Sequence, residues 1–271
     1  QKICELCKLC PELCNQLGEA YLFNRDFKNA LMYFKKELYF LHKSKTSDET
    51  NIILTYRNLA ETYRQMKIFR KSLKYNNLHI KESQKLDNIL ELQKGFCNTG
   101  NTFLDMSQDI YDKGITSKSF EEKIDSSFNY FQKSLNCIES LIKNEKLLHP
   151  NSPELKEYEK LKVEALFNLG SSYMVKGLYD NLYYDKSIEF FKNALDYANS
   201  IKYQLFVGKA NFNIGTIYLL TNRYDQSISF FLKDEQVCLK EKEYNGLRLT
   251  YQNIGLALQN QNKFEEAEKY I

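Results

Sequence analysis

The chain has 271 residues, of which 43% are hydrophobic and 14% aromatic, so it can bury a core and is not disordered overall. Its 38 basic and 35 acidic side chains leave a formal net charge of +3, which gives no bulk electrostatic case for direct binding to nucleic acid or to an anionic membrane. Only three prolines and ten glycines occur, which favours long helices over a many-turned β-sandwich.

A short string of residues recurs from the start of the chain to its end. It consists of an amide, an apolar or β-branched residue and a small residue, and in an α-helix the small residue allows a second helix to approach closely. The copies are Gln16-Leu17-Gly18, Asn58-Leu59-Ala60, Asn98-Thr99-Gly100, Asn168-Leu169-Gly170, Asn213-Ile214-Gly215 and Asn253-Ile254-Gly255. A second block places phenylalanine four residues after a small residue, as in Ala30 with Phe34 and Ser187 with Phe191. We therefore predict pairs of helices.

The spacing of the copies predicts the units of the fold. We expect one domain over 1–271, with helix pairs near 10–45, 50–86, 90–143, 158–200, 204–243 and 245–271. The third pair contains an insertion, 104–126, whose composition predicts a polar loop with a helical end at 120–124. A lengthened connection over 144–160 contains Pro150 and Pro153, which predict a turn and a helix that starts near Pro153.

The recurring string and the phenylalanine block resemble the tetratricopeptide repeat. Most spacings here are near 40 residues rather than the usual 34 or so, as in the long-repeat subclass of the LGN/Pins polarity adaptors and kinesin light chains. The resemblance implies an all-α tetratricopeptide-repeat solenoid, a right-handed superhelix of about six helix pairs with a concave groove. Because the chain starts at Gln1 and ends within a helical pattern at Ile271, we expect the solenoid to be truncated at both ends.

The amide column of the string is the strongest candidate for a binding site. It consists of Asn58, Asn98, Asn168, Asn213 and Asn253. An asparagine side chain offers two donors and an acceptor, which match the N–H and C=O groups of an extended peptide. In the long-repeat families, the resemblance implies that this column clamps extended peptides. The alternative is a set of structural amides that bond between repeats.

Charged and polar residues flank the amide column. Glu19, Glu61 and Asp105 predict negative charge at the N-terminal end of the groove, which suits a basic ligand. Arg57 and Arg64 partly offset that charge, and Asn101 adds a further polar side chain. Ordinary solvated helix surface is the alternative interpretation.

Cys4, Cys7, Cys10 and Cys14 have the spacing of an iron–sulfur binding run. The same spacing lies along one helix face, so we predict helix packing, no metal and no cofactor, with a metal-bound redox site as the alternative. The odd count of seven cysteines fits a reducing intracellular compartment. No Ser/His/Asp or Cys/His pairing and no phosphate-binding glycine loop can be argued, so the sequence predicts a protein that is not an enzyme.

Four segments resemble the Tonsoku-like family of replication-associated DNA repair scaffolds. They are 13–19 (LCNQLGE), 56–61 (YRNLAE), 100–105 (GNTFLD) and 131–135 (FQKSL). The resemblance implies a nuclear scaffold whose repeats recognise the histone H3 amino-terminal tail, with other repair proteins bound through regions outside this chain. The alternative is an adaptor similar to LGN or kinesin light chain that binds a linear motif of another protein.

Overall fold

The computed structural model describes residues 2–44, 49–114 and 118–270, with side chains from residue 11 onward. Within these ranges it contains twelve α-helices, one 3₁₀ turn (Asn181–Tyr183) and no strand. The helices are α1 (Lys2–Phe23), α2 (Phe27–Lys43), α3 (Glu49–Gln65), α4 (Phe69–Lys85), α5 (Ile89–Asp112), α6 (Lys118–Leu148), α7 (Pro153–Gly177), α8 (Tyr184–Ser200), α9 (Gln204–Leu220), α10 (Tyr224–Glu241), α11 (Tyr244–Asn260) and α12 (Phe264–Ala267). The prediction of an all-α fold built from helix pairs is confirmed.

Most connections between helices are the same tight turn. One residue in the left-handed region ends the helix, and the next N–H bonds back to a carbonyl five residues earlier, which satisfies the helix end. Between α9 and α10, for example, Asn222 has a φ of 59° and the Arg223 N–H donates to the Tyr218 carbonyl at 2.8 Å. The left-handed residues are Arg25, Lys67, Asp87, Lys202, Asn222, Lys242 and Asn262. These short turns make consecutive helices antiparallel neighbours.

The small residue of the recurring string packs against the phenylalanine of the following helix. A Cβ added at Gly170 would lie 2.8 Å from the ring of Phe191, and one at Gly215 would lie 2.9 Å from the ring of Phe231. Both rings are fully buried. Glycine is therefore required here by the close approach of the two helices.

The predicted polar loop over 104–126 is wrong. Helix α5 continues to Asp112 and α6 begins at Lys118, so the connection is short; residues 115–117 lie outside the described part of the chain. The extension is helical because it buries apolar side chains: Phe120 is 1% exposed and its ring centroid lies 6.3 Å from that of Tyr111. The insertion lengthens a helix pair instead of interrupting it.

The long connection predicted over 144–160 is also shorter than expected. Helix α6 runs to Leu148, which leaves only 149–152 between α6 and α7. The predicted helix start at Pro153 is confirmed, with the Leu155 N–H donating to the Ser152 hydroxyl at 3.0 Å as an N-cap.

The chain divides into two compact units, 1–137 and 138–271, and the boundary falls within α6. In the first unit α1, α3 and α5 touch in succession, and in the second unit α7, α9 and α11 do the same. Among the described residues no such contact joins α2 to α4 or α8 to α10. The first helices of the pairs therefore lie closer together than the second helices, and they line the inner side of each unit. The expectation of a single domain over 1–271 stays a prediction.

Candidate peptide-binding site

All five asparagines of the amide column lie on first helices, in α3, α5, α7, α9 and α11. Each directly precedes a residue that is at most 1% exposed: Leu59, Thr99, Leu169, Ile214 and Ile254. Consecutive residues of a helix point about 100° apart, so the amide of each repeat lies at the edge of the buried face. Asn58 is 9% exposed and the other four are half-buried.

The five amides differ in their hydrogen bonds. Asn58 donates to Glu19 of the preceding first helix at 3.4 Å, and Asn213 donates to the Lys209 carbonyl one turn earlier in its own helix at 2.9 Å. The side chains of Asn98 and Asn253 make no hydrogen bond to any described residue. The alternative of a structural amide therefore fits Asn58, whereas Asn98, Asn253 and the amide oxygen of Asn213 have donors or acceptors to offer a ligand.

Three of the predicted charged residues form one ion-pair cluster across α3 and α5. The Arg64 guanidinium donates to Glu61 at 2.7 and 2.8 Å and also pairs with Asp105. Burial raises the pKa of Glu61, but hydrogen bonds and charge from Arg64 outweigh it and hold that pKa below its usual value. Burial dominates at Asp105 and raises its pKa in spite of Arg64. Arg64 thus pairs with two of the three acids of the predicted acidic patch, and Glu19 is the acid that makes no ion pair among the described side chains.

A second cluster connects α3, α4 and α5. Glu91 accepts from His79 at 3.2 Å and from Lys94 at 2.8 Å, and Arg57 lies 3.5 Å away. His79 is fully buried and Glu91 is 6% exposed. Arg57, which was predicted as a groove residue, therefore points at a buried acid of the next first helix. Asn101 is half-buried, and its amide lies 3.8 Å from the Cys97 sulfur.

An open cavity of about 400 Å³ lies beside Asn213 in the second unit. It is formed by α9, α10 and the start of α11, and Asn213 is one of its lining residues. Three acids and one lysine also line it, namely Asp234, Glu241, Glu243 and Lys209, and its apolar wall consists of Leu205, Phe212, Val237 and Leu249. A cavity of this size can hold one large side chain of a ligand.

Asp234 is not among the site residues predicted from the sequence, although the repeat pattern singles out its position. One position of the repeat lies seven residues after the small residue near the start of each second helix. Close helix packing favours a small residue there, and Ala194 and Ser134 occupy this position in two of the repeats. The same column contains Glu37, His79 and Asp234, which are at most 3% exposed. A titratable residue at a packed position needs a partner. The departure from a small residue at this position therefore indicates a buried polar contact at Asp234.

The side chains of Cys4, Cys7 and Cys10 lie outside the described part of the structure, so the prediction of helix packing for them stays a prediction. Cys14 is buried. Among the described side chains, no group of three or more His, Cys, Asp and Glu residues could hold a metal ion. No helix in the described ranges has the length and hydropathy needed to cross a membrane.

Comparison with known proteins agrees with the helix-pair architecture. Profiles of the tetratricopeptide repeat match residues 11–38, 208–233 and 248–271. A solved structure described as Rap protein complexed with competence and sporulation factor superimposes on 96% of this chain and 63% of its own, with a TM-score of 0.69 and 15% identity. The chain has an all-α tetratricopeptide-repeat fold. Such a repeat region is a protein-binding scaffold.

The predicted resemblance to Tonsoku-like proteins is confirmed. Over 218 residues the chain is 27% identical to Tonsoku-like protein of Mus musculus, covering 79% of this chain and 14% of the mouse protein. Tonsoku-like protein of Bos taurus is 25% identical over 218 residues, with 80% of this chain and 14% of the bovine protein covered. The chain thus corresponds to a small part of the length of these relatives.

Proposed function

We propose that this repeat region binds the histone H3 amino-terminal tail as an extended peptide, in a nuclear scaffold for replication-coupled DNA repair. The observation that carries the proposal is that Asn213, a member of the amide column, lines an open cavity whose charged residues are three acids and one lysine. An amide at the rim can bond to a peptide main chain, and an acidic cavity suits a basic tail. The likeness to Tonsoku-like proteins supports the choice of histone H3 among basic peptides.

The chemistry required of the site is binding, not catalysis. Main-chain hydrogen bonds to amides give affinity without reading sequence, and the adjacent cavity supplies specificity for a side chain. Within the second unit Asn168, Asn213 and Asn253 would contact successive stretches of one peptide. In the first unit Asn98 is the amide with free hydrogen-bonding groups, and Glu19 is the available acid.

The test is a titration of the 271-residue chain with a fluorescently labelled, unmodified H3 tail peptide at moderate salt. We expect saturable binding and a loss of about thirty-fold in affinity for the double variant Asn168→Ala/Asn213→Ala, because each of the two amides loses hydrogen bonds of about 1 kcal/mol. Asn193→Ala, an exposed asparagine on α8, is the matched control and should bind like the parent chain.

Helicity and urea midpoint are measured for each variant, so that a binding loss can be separated from unfolding. Absence of saturable binding to the parent chain would overturn the proposal. Tighter binding of an acidic or aromatic linear-motif peptide would favour the adaptor alternative in its place. Equal affinities for the double variant and the Asn193→Ala control would remove the amide column from the site.

A further inference from the structure

Two glycines, Gly208 and Gly246, line the cavity beside Asn213. Gly208 lies five residues before Asn213, and the equivalent positions before Asn58 and Asn168 are Ile53 and Val163. A Cβ at Gly208 would lie 3.0 Å from an oxygen of Asp234 and 3.1 Å from Val237. A Cβ at Gly246, in the first turn of α11, would lie 3.1 Å from the Cys238 sulfur. The two glycines therefore let α9, α10 and α11 approach one another closely beside the cavity.

Asp234 is the most buried charged residue of the cavity wall, with 3% of its surface exposed. One of its oxygens accepts from the Thr250 hydroxyl and the other lies 3.7 Å from the Cys238 sulfur. It makes no ion pair with any residue that the structure describes. Burial raises the pKa of the Asp234 carboxyl, and the hydrogen bond from Thr250 only partly opposes this. A cation beside this carboxylate would offset the cost of its burial.

The remainder of the cavity suits a long side chain with a positive end. The apolar wall, which consists of Leu205, Phe212, Val237 and Leu249, can cover the aliphatic stem of such a side chain. Glu241 and Glu243 are exposed, line the cavity and add negative charge at its opening. The ammonium of Lys209 lies 4.7 Å from the ring centroid of Phe206, which is not part of the cavity wall.

We propose that this cavity is a specificity pocket for a lysine side chain of the bound peptide, with the stem on the apolar wall and the ammonium on Asp234. The proposal rests on the proposed function, since it deepens the account of the same groove. Lysine fits better than arginine because each Asp234 oxygen already has a hydrogen-bond donor. That leaves single acceptor positions for a point-like ammonium instead of the free carboxylate edge that a guanidinium fork prefers.

The experiment uses methyl NMR of the 271-residue chain and three end-blocked tripeptides, Ala-Lys-Ala, Ala-norleucine-Ala and Ala-Arg-Ala. We expect the lysine peptide to shift the methyl signals of Leu205, Val237 and Leu249 in a saturable manner. The norleucine peptide, which has the stem without the ammonium, should bind at least about ten-fold more weakly, because its terminal methyl group cannot donate the hydrogen bond to Asp234.

Two variants test the role of the acids. Asp234→Asn keeps the shape and should weaken binding of the lysine peptide about ten-fold. Glu243 is exposed, so the Glu243→Gln variant cannot disturb the core. It should weaken binding of the lysine peptide about two-fold. The matched control is Glu37→Gln, because Glu37 occupies the column of Asp234 in the first unit and does not line the cavity. This variant should bind the lysine peptide like the parent chain.

Equal binding of the lysine and norleucine peptides, tighter binding of the arginine peptide, or unshifted Leu205, Val237 and Leu249 signals would each overturn the lysine pocket. Failure of this pocket is distinguishable from failure of the histone proposal. Lysine-peptide binding that depends on Asp234, in a chain that does not bind the H3 tail, supports the pocket and removes only the histone ligand.

Discussion

Replacing Phe191 by alanine is expected to destabilise the chain by about 3–5 kcal/mol. Phe191 is fully buried where α7, α8 and α9 meet, in a cluster with Ile188, Ile214 and Ile217. Its ring faces Gly170, which has no side chain that could move into the cavity left behind. Because the site cannot collapse, the cost should lie at the upper end of the range. The measurement is urea-induced unfolding followed by circular dichroism.

The neighbouring residue Phe190 supplies the control on the same helix. It is half-buried and stacks on Tyr173 with centroids 5.4 Å apart, so Phe190→Ala should cost less than half as much. A double-mutant cycle tests the contact itself. Gly170→Ala should destabilise the parent chain, in which the new Cβ lies 2.8 Å from the Phe191 ring. The same change should stabilise the Phe191→Ala chain, in which the methyl group enters empty space. Equal losses at Phe190 and Phe191 would contradict this account of the core.

The helix pairs could be predicted because their packing is repeated. The same glycine–phenylalanine contact is made four times, by Gly18 with Phe34, Gly100 with Phe131, Gly170 with Phe191 and Gly215 with Phe231. This repetition makes the contact visible in a single sequence. The insertion was misjudged for the opposite reason. Residues 104–126 occur once, and their acidic and serine residues suggested a loop. The structure shows that Phe120 and Tyr111 pack on each other and extend both helices.

The candidate site could be predicted only in part. The position of the asparagines at the edge of the buried face follows from their place next to Leu169 or Ile214. Their individual partners do not follow from it, because Asn58 reaches another helix and Asn213 reaches its own backbone. The pocket acid Asp234 depends on contacts across a helix junction, and no local pattern identifies Thr250 as its partner.

Glu91 shows how a buried charge can be made stable between repeats. Burial alone would raise its pKa, but hydrogen bonds from His79 and Lys94 and the charges of Lys94 and Arg57 lower the pKa from 4.5 to about 2. A carboxyl whose pKa is lower in the folded chain than in the unfolded chain stabilises the fold above the unfolded pKa. That contribution is lost as the pH falls from about 4.5 towards 2. This lowering of the Glu91 pKa corresponds to roughly 3 kcal/mol of folding free energy.

Glu91→Gln is therefore expected to lower the free energy of unfolding by roughly 2–3 kcal/mol at pH 7, with a difference from the parent chain that shrinks as the pH approaches 2. Urea unfolding of both chains at a series of pH values measures this difference in the free energy of unfolding. Glu82→Gln is the control in the same unit, because Glu82 pairs at 3.3 Å with the mostly exposed Lys85. An exposed pair of this kind should contribute less than about 1 kcal/mol at any pH. If the loss of unfolding free energy in Glu91→Gln stays constant from pH 7 to pH 2, the loss arises from the shape of glutamine. The charge of Glu91 then does not stabilise the packing of α4 on α5.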